Sequence, residues 1–209
     1  MTSNFSEPQV RMPREERRTA LLTAARDAFV IHGYHAASME EIADRAGVSK
    51  PVLYQHFESK LELYLALLDQ GCDTLLERIK QALNSTTDNK LRLRATISVY
   101  FDLIEEPSSG IKLVYSGDLI NEPAVRFRVT KAEHDCAELV GGVIAQNTQI
   151  PSEQALILGA ALTGLAQNAA QRWIEQGGTN KELATRLLAA LAWRGISSFP
   201  LTNQILIRT

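Results

Sequence analysis

The sequence predicts an all-α protein of about nine helices, and three observations carry that expectation. Nearly every segment repeats its apolar residues at the three-to-four-residue spacing of a helix, and none alternates as a half-buried strand does. Three stretches of the form Ser/Thr-x-x-Glu, at Ser38–Glu41, Ser59–Glu62 and Thr179–Glu182, mark helix starts. In each the hydroxyl can accept from an otherwise orphan backbone N–H while the Glu returns to the cap residue. Gly, Pro and Ser/Thr/Asn clusters punctuate the segments, with no internal repeat and no low-complexity stretch.

The first helix is expected over Arg14 to His32, with Leu22, Ala25 and Phe29 on one stripe and Gly33 as its stop. A loop from Gly33 to Ala37 follows. The second helix, Ser38 to Ala46, buries Met39, Ile42 and Ala43 and ends at Gly47, which tolerates the left-handed backbone of a tight turn. A third, about Ser49 to Phe57, takes Pro51 in its first turn, where the missing N–H costs no helical bond, and turns Leu53 and Phe57 inward. A long fourth helix runs from Ser59 to about Leu83. Five more follow: 88–106, 111–120 after the Pro107-Ser108-Ser109-Gly110 break, 122–147, 152–176 and, past Gly177-Gly178, 180–197. The expected organisation is an arm (1–13), a three-helix domain (14–59), a larger helical domain (60–199) and a tail (200–209).

Apolar residues make up 45% of the chain and charged ones 22%, values of an ordinary globular protein that need no stapling. The polar N-terminus lacks a secretory apolar run, so cytoplasmic residence is expected. The richest apolar stretch, Ala155 to Ala170, is broken by Thr163, Gln167 and Asn168 and is too short to span a bilayer, so no membrane partner is expected. Cys72 and Cys136 lie far apart inside helical patterns, and read as buried thiols; neither a metal nor another cofactor is expected.

Gly47-Val48-Ser49 between two short helices is a helix-turn-helix signature, because the turn needs Gly and the following helix needs a cap. On that helix, steps of about 100° per residue place Pro51, Tyr54 and Gln55 opposite Leu53 and Phe57. A solvent-facing Pro-Tyr-Gln surface fits DNA: the Tyr54 hydroxyl suits a phosphate, and Gln55 can read adenine bidentately in the major groove. Lys50, His56 and Lys60 flank it as candidate phosphate contacts, and the helix start at Ser38 offers free N–H groups. Taken singly, each reads as a packing or solvated residue; the turn, the phasing and the two capping boxes together favour DNA. Residues 1–60 hold eight Lys or Arg against eight Asp or Glu, so binding must rest on where charges sit.

The run from Ser38-Met39-Glu40-Glu41-Ile42-Ala43 through Gly47-Val48-Ser49-Lys50-Pro51-Val52-Leu53-Tyr54-Gln55-His56-Phe57-Glu58-Ser59-Lys60 resembles the DNA-binding domain of the TetR family of regulators. The resemblance implies DNA contacts by Ser38, Ser49, Lys50, Pro51, Val52, Tyr54, Gln55, His56 and Lys60, a dimeric, ligand-binding helical C-terminal domain, and repression. Ala192-Trp193-Arg194-Gly195-Ile196 further resembles a group of these regulators common in actinobacteria. Where the family often has an aromatic after the Tyr, this chain has Gln55, which shifts the expectation from backbone stacking toward base readout. Arg11, Arg14, Arg17 and Arg18 give a basic arm, either solvated or reaching the DNA backbone or minor groove.

Gly159, Ala160, Ala161, Gly164, Ala166, Ala169 and Ala170 let another helix approach residues 152–176 closely. With Leu183, Leu187, Leu191 and Ile196 they suit a two-fold four-helix interface, or equally an intramolecular core. One short reading helix contacts too few base pairs for specificity, so a homodimer on a near-palindromic double-stranded operator is expected, its half-sites about 34–36 Å apart or a multiple of that. For the small-molecule effector, the candidate contacts are Tyr100, Phe101, Tyr115, His134, Asn168 and Trp173. An enzyme is disfavoured by the lack of any catalytic or phosphate-loop pattern. A sequence-indifferent DNA binder is disfavoured by the balanced charge, and a winged helix by the capped helix that follows at once. A ligand-independent or activating regulator is the alternative.

Overall fold

The computed structural model describes residues 13–115, 119, 121–178 and 180–196, the side chains of residues 108, 114 and 115 excepted. These residues form nine α-helices and one 3-10 turn: α1 (Arg14–Ala36), α2 (Met39–Arg45), α3 (Lys50–His56), α4 (Lys60–Asn84), α5 (Asn89–Glu105), the turn Pro107–Ser109, α6 (Ile111–Tyr115), α7 (Pro123–Asn147), α8 (Ser152–Glu175) and α9 (Lys181–Ile196). The expected arm apart from Pro13, Arg11 included, and the expected tail lie outside the described residues. The chain divides into two compact units, Met1–Ala66 and Leu67–Thr209.

In the N-terminal unit α1 buries Leu21, Leu22, Ala25 and Phe29. The helix breaks at Gly33, whose φ of 75° and ψ of 166° are non-helical, but a further turn resumes to Ala36 where a loop was expected. Lys60 accounts for that turn. Its ammonium donates to the carbonyls of Tyr34 (2.8 Å), Ala37 (2.9 Å) and His35 (3.3 Å), groups that a helix end leaves without intrahelical partners. It also sits 4.5 Å from the Tyr34 ring centroid.

The backbone N–H of Glu41 donates to Ser38 Oγ at 3.1 Å, so the first half of the expected capping box forms. The second half does not: the Glu41 carboxylate pairs with Arg45 (2.9 Å) and His32 (3.2 Å) instead. Gly47 takes φ 67° to turn the chain between α2 and α3. Leu53 and Phe57 are buried, as their i, i+4 spacing requires. The boundary between units falls inside α4 rather than at its capped start, because Leu63 and Tyr64 are fully buried and Tyr64 packs edge-on against Phe29 and Tyr34.

In the C-terminal unit α7 and α8 pair most extensively, and α5 packs on α8 and α9. Two glycines permit the α7–α8 approach. A Cβ on Gly159 would lie 2.2 Å from the Ala137 carbonyl oxygen, and one on Gly141 would lie 2.9 Å from that of Ala155. The small residues of α8 thus serve two faces: Ala155, Gly159, Thr163, Ala166 and Ala170 are buried, while Ala160 and Ala161 are exposed. The turn into α9 uses Gly177 and Gly178, whose N–H groups donate to the Ile174 and Trp173 carbonyls. Thr179 of the third capping box lies outside the described residues; Asn180 Oδ1 accepts the Leu183 N–H at 3.0 Å, and Glu182 pairs with Arg94. Among the described residues no helix is long and apolar enough to cross a membrane.

Candidate nucleic-acid interface and ligand cavity

α3 presents the surface its periodicity predicts. Ser49, Lys50, Pro51, Tyr54 and Gln55 are exposed, with Tyr54 at 44%, while Val52 and His56 are half-buried. A 44% exposed tyrosine opposite a fully buried Leu53 is not required by the core. Ser38, Lys50 and Tyr54 border one open depression of about 580 Å³, which also reaches Ser59 and Lys60. Ser49 stands at the N-cap of α3 but its hydroxyl makes no capping bond, leaving that oxygen to solvent or a ligand. Lys50 lies 3.8 Å from Glu40, a long and exposed pair that water largely screens.

Of the candidate phosphate contacts, Lys60 is engaged within the protein and His56 has its charged form disfavoured. Lys60 holds the 34–37 carbonyls that lead into Ser38. His56 has its pKa lowered from the ordinary 6.5, first by burial and then by the positive charges of Arg14, Arg17 and Arg18, so near neutral pH it is an uncharged imidazole. Those three arginines belong to the first turns of α1 rather than to a free arm. Arg18 stacks its guanidinium 4.5 Å over the Phe57 ring, linking the start of α1 to the end of α3.

The effector candidates scatter. Phe101 and Trp173 are buried and pack on each other at 5.4 Å between ring centroids, so they fill core volume. His134 is exposed beside Glu138 at 3.4 Å, and Asn168 is exposed and donates to the Gly164 carbonyl at 2.8 Å. The Tyr115 side chain lies outside the described residues. Tyr100 borders a void of about 10 Å³ together with Cys72 and Cys136, room for one water at most. Burial pushes the two thiols up, to about 11 for Cys72 and about 12 for Cys136.

Another cavity of the C-terminal unit lies apart from these residues and measures about 290 Å³. Its apolar walls are Leu83 of α4, Leu93 of α5, Val140, Val143 and Ile144 of α7, Leu162 of α8, and Trp193 and Ile196 of α9. Asn89, Arg92 and Thr96 of α5, with Asn147 and Thr148, supply the polar groups. Volume and lining match a small-molecule pocket, which is mainly apolar with a few convergent polar groups. Sequence reasoning missed these residues. The available signal is a polar stripe, Asn89, Arg92 and Thr96, at helical spacing on α5.

Residues 21–67 match the family model described as bacterial regulatory proteins, tetR family. The chain is 45% identical over 194 residues to the HTH-type transcriptional activator FasR of Mycolicibacterium smegmatis, covering 92% of this chain and 89% of that one. It is 30% identical over 97 residues to the HTH-type transcriptional repressor KstR2 of Rhodococcus jostii, covering 46% of this chain and 48% of the relative. A TetR-like transcriptional regulator from Rhodococcus sp. RHA1 superposes with a TM-score of 0.74 at 26% identity, covering 90% of this chain and 100% of that one. A helix-turn-helix with an exposed reading face, followed by a cavity-bearing helical unit and matched along almost its whole length, places this chain in the TetR family of DNA-binding transcriptional regulators.

Proposed function

We propose that the chain is a cytoplasmic, homodimeric regulator whose affinity for operator DNA changes when a small molecule fills the α5–α9 cavity. The observation that carries this is the exposed Pro51-Tyr54-Gln55 face of α3 with Ser38 and Lys50 on the same depression as Tyr54. Ser38, Ser49, Lys50 and Tyr54 meet phosphates, Pro51, Val52 and Gln55 face base edges, and His56 serves as a neutral hydrogen-bonding group. Lys60 acts by holding the turn that aims Ser38.

A second copy is expected on α8 and α9. Leu183, Leu187 and Leu191 form an i, i+4, i+8 row on α9, the last two 61% and 64% exposed, and Ile157 of α8 is 69% exposed. Apolar rows left in water mark association surfaces, and a two-fold axis would pair this one with itself. A monomeric mass in sedimentation at micromolar protein would count against the dimer.

α4 carries Leu83 in the cavity wall and Lys60, Leu63 and Tyr64 in the N-terminal unit, so a ligand that moves Leu83 acts on the helix anchoring the reading head. A preference of about 3 kcal/mol for one form changes operator affinity roughly 100-fold. A relative matched along 92% of the chain is named an activator, which favours activation over the repression expected from sequence. The test is titration of the protein into labelled DNA from beside its own gene at two salt concentrations, with scrambled DNA and a Tyr54→Ala variant. Binding that is specific, falls with salt and is lost in a still-helical variant supports the reading; failure across a genome-wide fragment pool overturns it.

A further inference from the structure

The cavity walled by α4, α5, α7, α8 and α9 contains a buried polar atom that the protein leaves unserved. Thr96 is 5% exposed, and among the described residues its Oγ1 has no hydrogen-bond partner. A threonine within a helix can bond the carbonyl one turn back. Thr19, Thr74 and Thr163 do so, at 2.7–3.0 Å. Thr96 lines the cavity instead, among Leu93, Val143 and Leu162, none of which can accept its proton. A buried hydroxyl without a partner is destabilising, so its persistence points to a partner that the chain does not itself supply.

Arg92 stands one turn earlier on the same face of α5, where side chains at i and i+4 are neighbours, and also borders the cavity. Its Nε donates to the Thr86 carbonyl at 2.6 Å and its Nη1 to Asn89 Oδ1 at 3.1 Å. Among the described residues no carboxylate lies within ion-pair distance of it, and Nη2 is uncommitted. The side chain is held in place while its charge is unanswered.

We infer that Thr96 and Arg92 together recognise an apolar carboxylate, with Thr96 donating to one oxygen, Arg92 meeting the negative charge, and the apolar body against Leu93, Val143 and Leu162. This rests on reading the cavity as the effector site. The free acid and its ester share the carbonyl oxygen but not the charge, so the two side chains separate them: Thr96 serves both, Arg92 only the acid.

The test uses 4-butylbenzoate, methyl 4-butylbenzoate and butylbenzene as probes on the full chain, followed by calorimetry and by the emission of Trp193 in the cavity wall. Thr96→Val is expected to weaken the acid and the ester about tenfold, the worth of one hydrogen bond to a buried acceptor, and to leave butylbenzene unchanged. Thr96→Ser restores both, and Arg92→Gln weakens the acid while sparing the ester. Unchanged binding of all three probes by Thr96→Val, with its helicity intact, overturns the inference while the cavity remains a ligand site. No binding of any probe to the wild-type chain, butylbenzene included, overturns the reading of the cavity and this inference with it.

Discussion

Gly159→Ala and Gly142→Ala make the same chemical change in the middle of two paired helices, yet they should move stability in opposite directions. Each replaces glycine by the best helix former, which by itself stabilises by about 1 kcal/mol. At Gly142 a new Cβ meets nothing within 4 Å, so that gain stands alone. At Gly159 the Cβ would lie 2.2 Å from the Ala137 carbonyl oxygen and 2.8 Å from the Gly141 nitrogen. Both obstacles are backbone of α7, which cannot swing aside as a side chain would. Relief requires the two helices to separate along the pairing that organises the unit, an overpacking cost of about 3 kcal/mol. The net loss at Gly159 is then about 2 kcal/mol, and the two variants differ by about 3 kcal/mol. At 2–4 °C per kcal/mol for a chain of this size, their melting temperatures should stand roughly 6–12 °C apart, followed by circular dichroism at 222 nm. Equal melting temperatures, or a rise in both, would refute the claim that α7 and α8 meet backbone to backbone.

Three further outcomes follow from other parts of the chain. Lys60→Met should cost the N-terminal unit about 2 kcal/mol in urea unfolding, since charge-assisted bonds to the 34–37 carbonyls are lost while the apolar stem is kept; wild-type stability would show that water serves those carbonyls equally well. His56 has a folded-state pKa below 6.5, so on acidification the unfolded chain takes up its proton first. Stability is therefore level above about pH 6.5 and declines below it, and His56→Gln should flatten that part of the pH profile; an unchanged slope would assign it to other groups. Cys72 and Cys136, pushed up to about 11 and 12, carry almost no thiolate at pH 8, so Ellman's reagent should label neither in the folded protein and both in guanidinium; labelling of the native chain at the rate of a free thiol would contradict their burial.

Local chemistry explains why the reading head was legible in the sequence. Ser38, Gly47, Pro51, Leu53 and Phe57 each fix a cap, a turn, a first turn or an inward face through contacts within a few residues, and the exposed Tyr54 follows by phase alone. What failed there was long-range. Lys60 reads in the sequence as a phosphate ligand because nothing near it reveals the Tyr34 and Ala37 carbonyls more than twenty residues away. Glu41 reads in the sequence as closing a capping box, but a surface carboxylate with Arg45 one turn ahead and His32 nearby has stronger partners than a backbone N–H. The α8 small-residue pattern leaves a core and an interface between copies open; Gly159 lies in the core and Ala160 in water, and alanine is equally at home in both, so composition cannot divide them.

The cavity was illegible for a reason that inverts the usual search for binding residues. Large aromatics such as Phe101 and Trp173 drew attention as ligand contacts, yet a ring of that size is what a core uses to leave no space, and these two fill it by packing on each other. A cavity persists where five helices converge on residues too short to close the gap, here Thr96, Val140 and Val143. Such residues are individually unremarkable, and their convergence is a property of the packing rather than of any segment. The usable trace in the sequence is polarity at an inward phase: α5 places Asn89, Arg92 and Thr96 on one stripe between apolar positions, where a helix built only for burial would carry aliphatic side chains. A buried threonine that forgoes its own helix carbonyl sharpens that trace from a cavity to a chemistry, because the donor it keeps available defines the acceptor it must meet.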